Sequence, residues 1–527
     1  MSKLPTTITV FVGLMVLATL AAATTQAVAD ELRIEMLARL QVETTPNSGA
    51  FRTARSNIKW SPSKTAIVIC DMWNEHWCRG ATRRVAEMAP RMNEVVQTAR
   101  EKGVLIIHCP SSCLDFYKDT PMRAVAKNAP PIKTEIPLQG WCHLDEKSEA
   151  ALPIDDSDGG CDCWPRCRSG GPWKRQIDTI EIEKGDAITD SGEAYYLMKQ
   201  RGIENVIVMG VHTNMCVLGR PFSIRQMVYQ GQNVVLMRDM TDTMYNSRMK
   251  PYVPHTQGTD LVVDHIEKYW CPTVTSSVFT GKEEFVFAEK NQPHVVFVIG
   301  EREYQTNESL PAFAQEHLTP RGVRHTIIHA DEKDKNNFPG LAALKTADLL
   351  FLSVRRRSLP EEQLKLVREF MASGKPLVGI RTANHAFHTK GKHPSGHAEW
   401  QSFDADVLGG NYHSHHPNGI KSQLTLAAQA GEHAILDGVS VTSFQGNGSL
   451  YEVSPLAKST IPLVIGEIEG QPAEPVAWTH KFGKSRVFYT SLGQVDDFQS
   501  DDFNRLLVNA VFWGLNKTVP AAKAPMR

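Results

Sequence analysis

Short apolar runs alternate with amphipathic stretches along most of the sequence, and the arrangement that accommodates this rhythm at length is parallel strands joined by helices. In the first half the runs are Ala66 to Cys70, Val104 to His108, Val206 to Met209 and Val234 to Met237. Residues 193 to 201 and 217 to 230 read as helices that stop at Gly202 and Gly231, the residue type a helix C-terminus favours. A second series runs through Val295 to Ile299, His325 to His329, Leu349 to Ser353, Leu377 to Ile380, Val476 to Thr479 and Arg486 to Thr490. A chain of 527 residues is too long for one ordinary core, and no repeat relates its halves. Two doubly wound, mainly parallel α/β domains are therefore expected.

The expected boundaries are 60–271 and 294–517, with an N-terminal extension at 30–59, a linker at 272–293 that lacks a clear period, and a tail at 518–527. Residues 1–29 read as a secretory leader: Lys3 precedes an apolar run from Ile8 to Ala22, and Ala27-Val28-Ala29 offers a small-residue cleavage site before Asp30. The run is shorter than the roughly 20 residues that span a bilayer. An exported protein, periplasmic or secreted and off the membrane after cleavage, is the expectation. Lys+Arg of 57 against Asp+Glu of 58 leaves a net charge of −1, which gives no electrostatic footprint for nucleic acid. A small-molecule or sugar-derived substrate fits better.

All ten cysteines precede residue 272, whereas the second half is rich in histidine. Residues 110–175 break the α/β rhythm and read as an irregular insertion of the kind that covers a pocket. Within it, Cys161, Cys163 and Cys167 are open to two readings, a structural zinc site with Cys142 or His143, or disulfides, which an exported protein favours. His76 and Cys78 form an isolated pair of potential metal ligands that reads better as packing and hydrogen bonding.

The chemistry is carried by NVIVMGVHTNMCVLGRPF (205–222), an apolar strand, a glycine turn, and Cys216 opening a helix. There the helix N-terminus is expected to stabilise the thiolate. Arg220, four residues on, either adds positive potential or is a solvated surface residue. A second strand, TAIVICDMW (65–73), ends in Asp71, which either accepts and returns the proton of a nearby thiol or caps the next helix.

Asp71 after one strand and GVHTNMCV (210–217) after another resemble the isochorismatase-like cysteine hydrolases over about residues 60–270. The resemblance implies an Asp/Lys/Cys triad, a non-prolyl cis peptide between Val211 and His212, and an oxyanion hole formed by the amides of Met215 and Cys216. It offers Lys184, in IEIEKGDAI (180–188), as the triad lysine, with Lys174 or Lys118 in reserve; a Lys flanked by Glu183 and Asp186 is equally a surface residue. The Asp/His/His metal site of nicotinamidase relatives is not reproduced in WNEHWCRG (73–80), so nicotinamidase activity is not expected. Nor does the reaction require a cofactor. The family includes vinyl-ether hydrolysis as well as C–N cleavage, which leaves the bond type open, and it makes a homo-oligomer the default.

In the second half, PLVGIRTANHAF, LGGNYHSHHP and PVAWTHKFGKSRVFYTSLG occur in order and resemble the ThuA-like, trehalose-utilisation family over about residues 294–517, whose fold is that of class I glutamine amidotransferases. The elbow that carries their nucleophilic cysteine reads Gly379-Ile380-Arg381 here, so glutamine hydrolysis is not implied. The usual Gly-His after the last strand is Gly493-Gln494. The resemblance implies a sugar-related pocket faced by His385, His413, His416 and Glu452, where the histidines also leave room for a metal. The leading expectation is an exported cysteine hydrolase cleaving an amide-like bond through Cys216. The alternatives are a sugar-modifying enzyme acting through the second domain and a non-catalytic carbohydrate-binding protein.

Overall fold

A computed structural model of the protein describes residues 33–46, 48–163 and 165–520, so the leader expected at 1–29 lies outside the described residues. The chain divides into two compact units. One comprises residues up to 153, 168–244 and 259–287; the other comprises 154–167, 245–258 and 288 onward. No helix among the described residues is long and apolar enough to cross a membrane.

The first unit is built on β1 (Ile34–Glu43), β2 (Phe51–Trp60), β3 (Thr65–Cys70), β4 (Leu105–Cys109), β5 (Ala187–Ile188), β6 (Asn205–Val211), β7 (Asn233–Asp242) and β8 (Thr273–Val274). These make one eight-stranded sheet in the order β2-β1-β8-β7-β6-β3-β4-β5. Strands β3 to β8 run parallel to their neighbours, and β1 with β2 forms an antiparallel ribbon on the β8 edge. Strand β3 is buried at every residue, as a parallel strand covered on both faces must be. The stretch expected as an extension is thus a hairpin of two ten-residue strands in the sheet, and residues 272–287 belong to this unit rather than to a linker. The chain passes from β3 to β4 and β5 on one side, then to β6 on the other. The order reverses between β3 and β6, where α/β sheets open a crevice at the strand carboxyl ends.

The expected helix 217–230 is two short helices, Cys216–Gly219 and Ile224–Tyr229. Pro221 has no N–H to continue the first, and the residue before a proline is pushed out of the helical region. Arg220 accordingly sits in extended conformation, φ −69° and ψ 155°. The 110–175 insertion is largely irregular, apart from short helices at Leu114–Tyr117 and Pro121–Lys127. Its CDC turn falls in the second unit, where the Arg248 guanidinium donates to the carbonyls of Asp162 and Cys163, both at 3.2 Å. No disulfide joins Cys161, Cys163 and Cys167, contrary to the reading that export favoured.

The second unit contains β9 (His294–Gly300), β10 (Arg324–His329), β11 (Leu349–Val354), β12 (Leu359–Pro360), β13 (Leu377–Ile380), β14 (His397–Ala398), β15 (Ser414–His415), β16 (Gln423–Leu426), β17 (Tyr451–Glu452), β18 (Ile461–Glu467), β19 (Glu474–Phe482) and β20 (Ser485–Thr490). Eight of them form a sheet in the order β10-β9-β11-β13-β20-β19-β18-β16, parallel through β20 and antiparallel beyond. Alternate residues of β9 serve different layers: Val295, Phe297 and Ile299 pack into one buried cluster, Val296 and Val298 into another. Each such fully buried side chain contributes about 1.5–3 kcal/mol. The strand order reverses between β9 and β11, which sets a second carboxyl-edge crevice. The short ribbon of β15 with β17 brings His415 opposite Tyr451.

Gly210 marks how closely β3 and β6 approach at the first crevice. Its φ is +111°, and a Cβ there would lie 2.0 Å from the Cys70 carbonyl oxygen, a backbone atom that cannot yield. Gly210→Ala is expected to destabilise the first unit by about 3 kcal/mol or more, read as a shift of its unfolding transition in a urea titration of the full chain.

Candidate active site

Cys70 ends β3, and the chain turns sharply at Asp71, whose φ is 49°. The turn aims the carboxylate across the crevice mouth with no solvent exposure. The Ser111 N–H, just beyond β4, donates to Asp71 Oδ1 at 2.7 Å. Arg220 Nε lies 3.6 Å from Asp71 Oδ2. Burial raises the Asp71 carboxyl above its ordinary range; the Arg220 charge, the Cys216 thiol and Ser111 pull the other way.

From β6, the chain passes through a cis peptide between Val211 and His212 to Cys216, which is 8% exposed. Asp71 and Arg220 are the charged groups that act on its thiol. Burial and the Asp71 charge push that thiol up, and Arg220 only partly counters them. The helix that Cys216 opens is one turn long, and burial with the Asp71 charge acts against the thiolate that the helix start was expected to favour. The Asp71 carboxylate is in hydrogen-bonding contact with this thiol.

The Cys216 amide makes no backbone hydrogen bond among the described residues, whereas the Met215 N–H donates to the His212 carbonyl at 2.9 Å. Of the two amides expected to hold an oxyanion, that of Cys216 stays open and that of Met215 is engaged. Val211 and His212 are buried beneath them. The Asn214 side chain clamps the turn by accepting from the Met244 N–H at 2.9 Å and donating to the Met244 carbonyl at 3.2 Å. Insertion residues add aromatic walls: Trp141 lies against Arg220, whose Cζ is 5.4 Å from its ring, and Trp173 stacks on Trp73 at 4.7 Å. His76 packs on Trp173 and meets His212 edge-on at 4.9 Å.

The structure does not bring Lys184 to this site. Strand β5 pairs Ala187 with Ile107, which sets Lys184 level with Val104 at the amino end of the strands. There it is exposed and lines a surface hollow with Ser63, Val104 and Ile203. Lys174 and Lys118 are also exposed, and neither acts on Asp71 or Cys216. The cation beside Asp71 and Cys216 is Arg220. Its spacing from Cys216 was visible in the sequence; the turn of its backbone, set by Pro221, decides where it points.

At the carboxyl edge of the second sheet, His385 follows β13, is 7% exposed, and stacks on Tyr412 at 4.7 Å. Burial, with the nearby charges of Arg356, Arg355 and Arg381, lowers its pKa to about 3, so the ring is neutral. His413 Nε2 is 3.7 Å from Glu452 Oε2, and both side chains are largely solvated. The His416 N–H donates to the Leu450 carbonyl at 2.9 Å, and the histidine of this segment whose ring meets Tyr451 is His415, at 6.3 Å. The group that histidine density in the sequence did not point to is Arg381. It occupies the elbow with φ 44° and is 1% exposed. Its Cζ lies 4.0 Å from the Tyr304 ring centroid and 4.5 Å from that of Tyr451. Burial opposes its charge, and the phenols of Tyr451, Tyr304 and Tyr489 more than offset that.

Residues 294–514 match the family model ThuA, described as trehalose utilisation. A comparison with curated proteins found no match. Similar solved structures include a cysteine hydrolase from Pseudomonas syringae pv. phaseolicola, 17% identical over 41% of this chain and 92% of that chain, with a TM-score of 0.27. An isochorismatase family protein from Burkholderia thailandensis is 13% identical over 42% of this chain and 95% of its own, TM-score 0.26. A ThuA-like protein from Parabacteroides merdae is 14% identical over 44% of this chain and 92% of its own, TM-score 0.32. Residues 294–514 thus match the ThuA, trehalose-utilisation, family model, and the chain is similar in part to these cysteine-hydrolase, isochorismatase-family and ThuA-like structures.

Proposed function

We propose that the protein is an exported cysteine hydrolase that cleaves an amide-like bond of a small molecule, with Cys216 as nucleophile. The observation that carries this reading is the meeting of a thiol, a buried carboxylate and an arginine at the β3/β6 switch point, beside an amide N–H with no backbone partner. Export rests on the leader-like composition of residues 1–29.

Asp71 takes the Cys216 proton as sulfur bonds to the substrate carbonyl carbon, and the carbonyl oxygen, now an oxyanion, accepts from the Cys216 amide. The C–N bond then breaks, and Asp71 returns its proton to the departing nitrogen. Water gives a proton to Asp71 and its oxygen to the thioester carbon; the C–S bond breaks and sulfur recovers the proton. Arg220 favours the charged forms of both Asp71 and Cys216, the part first given to Lys184. The neutral His385 and the tyrosines around it support a sugar-related ligand for the ThuA region, so a compound with both an amide-like bond and a sugar would engage both units.

Cys216→Ser is expected to lower kcat on the amide or ester found in a substrate screen by about a thousandfold or more, while the unaltered protein shows a thioester adduct by mass spectrometry. Full activity in Cys216→Ala would sink the proposal. A second test reads the electrostatics. Asp71 carries a negative charge that raises the thiol, so Asp71→Asn should move the midpoint of Cys216 alkylation to lower pH. Arg220→Gln removes the charge that lowers the thiol, so it should move the midpoint up. Iodoacetamide labelling across a pH series, quantified on the Cys216 peptide, distinguishes the two directions. A third reads the base. Burial holds Asp71 above the ordinary value of about 4, and losing Arg220 raises it further, so the acid limb of kcat/KM should shift to higher pH in Arg220→Gln.

A further inference from the structure

We propose that the ThuA region holds a hydroxylated small-molecule carboxylate, gripped by Arg381 at the carboxyl edge of its sheet. The Arg381 Nη1 donates to the carbonyls of Ser449 and Ser491, the Tyr304 phenol also acts on the guanidinium, and Nε and Nη2 meet no acceptor in good geometry among the described residues. Those two N–H groups leave the guanidinium on the same edge, the fork that binds both oxygens of a carboxylate in parallel. Among the described residues no Asp or Glu pairs with Arg381, although buried guanidinium groups are ordinarily matched by an anion. A ligand carboxylate supplies the missing charge.

Three further buried groups around this elbow also lack partners: Thr382 Oγ1, Asn384 Nδ2 and the Ser449 hydroxyl. These residues are 1%, 4% and 3% exposed. A cluster of buried, unsatisfied donors and hydroxyls is costly unless something polar completes it. Gly448 lets its backbone pack against the guanidinium, because a Cβ there would come within 2.7 Å of Cζ, Nη1 and Nη2. The faces of Tyr304 and Tyr451 suit the C–H surface of a carbon skeleton whose hydroxyls reach Thr382 and Asn384. Arg356, which follows β11 across the switch point, adds positive potential near His385 and Tyr412, whereas Arg355 is paired with Glu303 at 2.8 Å.

The test uses the full-length protein in chloride-poor buffer, with gluconate as probe and glucose and inorganic phosphate as comparators, read by isothermal titration and by thermal shift. Gluconate should bind at least tenfold more tightly than either comparator. Arg381→Met should abolish that binding. Because a buried arginine can be needed for folding, Thr382→Val and Asn384→Leu supply independent variants of similar shape, each expected to weaken gluconate binding severalfold with Cys216 alkylation unchanged. Absence of gluconate binding, equal binding of glucose, preferential binding of phosphate, or indifference of Thr382→Val and Asn384→Leu would each overturn the proposal. Alkylation of Cys216 reports on the first unit alone, so failure here is distinguishable from failure of the hydrolase reading.

Discussion

Asp71 has no solvent around it, so its charge exists only to the extent that the chain compensates it. Ser111 donates to one oxygen and Arg220 faces the other, and the remaining free energy of desolvation stays in the group as raised basicity. That is the property a proton acceptor for a buried thiol requires. The rest of the site follows from keeping this carboxylate dry and aimed. Gly210 lets β6 approach β3, the β3/β6 reversal opens the mouth, and Pro221 turns Arg220 back toward the charge. The Cys216 thiol and the Asp71 carboxyl each have their basicity set by burial and by the other's charge or hydrogen bond.

The parallel strands were legible because continuous burial writes itself as continuous apolar sequence, as in TAIVIC and NVIVMGV. The β1/β2 hairpin was not, because β2 lies at the sheet edge with mostly exposed or half-buried residues and shows no apolar period. Asp71 and Cys216 could be located because strand ends and a glycine turn announce a crevice. Lys184 could not be placed correctly, since its position depends on the register at which β5 joins β4, and a strand of two residues leaves little pattern from which to read register. Arg220 was visible as a spacing but ambiguous as a role; the proline that follows it resolves the direction.

The second unit presents the complementary electrostatic problem. The first crevice buries a carboxylate with an arginine beside it; the second buries Arg381 among tyrosines, with no carboxylate paired to it among the described residues. Histidine density in the sequence pointed to the right edge of the sheet, yet His413 and Glu452 are solvated while the least exposed polar groups come from the elbow itself. Residue type marks the neighbourhood, and burial, which sequence does not print, selects the members.

The assignment of residues 154–167 and 245–258 to the second unit, with residues 168–244 and 259–287 in the first, gives the chain five crossings between units. A polypeptide emerging from its N-terminus therefore delivers two pieces of the second unit long before β9 has been made. Those pieces precede the body of their unit, which begins at residue 288. The two units are consequently interleaved along the sequence, and no single cut between residues 153 and 288 separates a whole copy of one from a whole copy of the other.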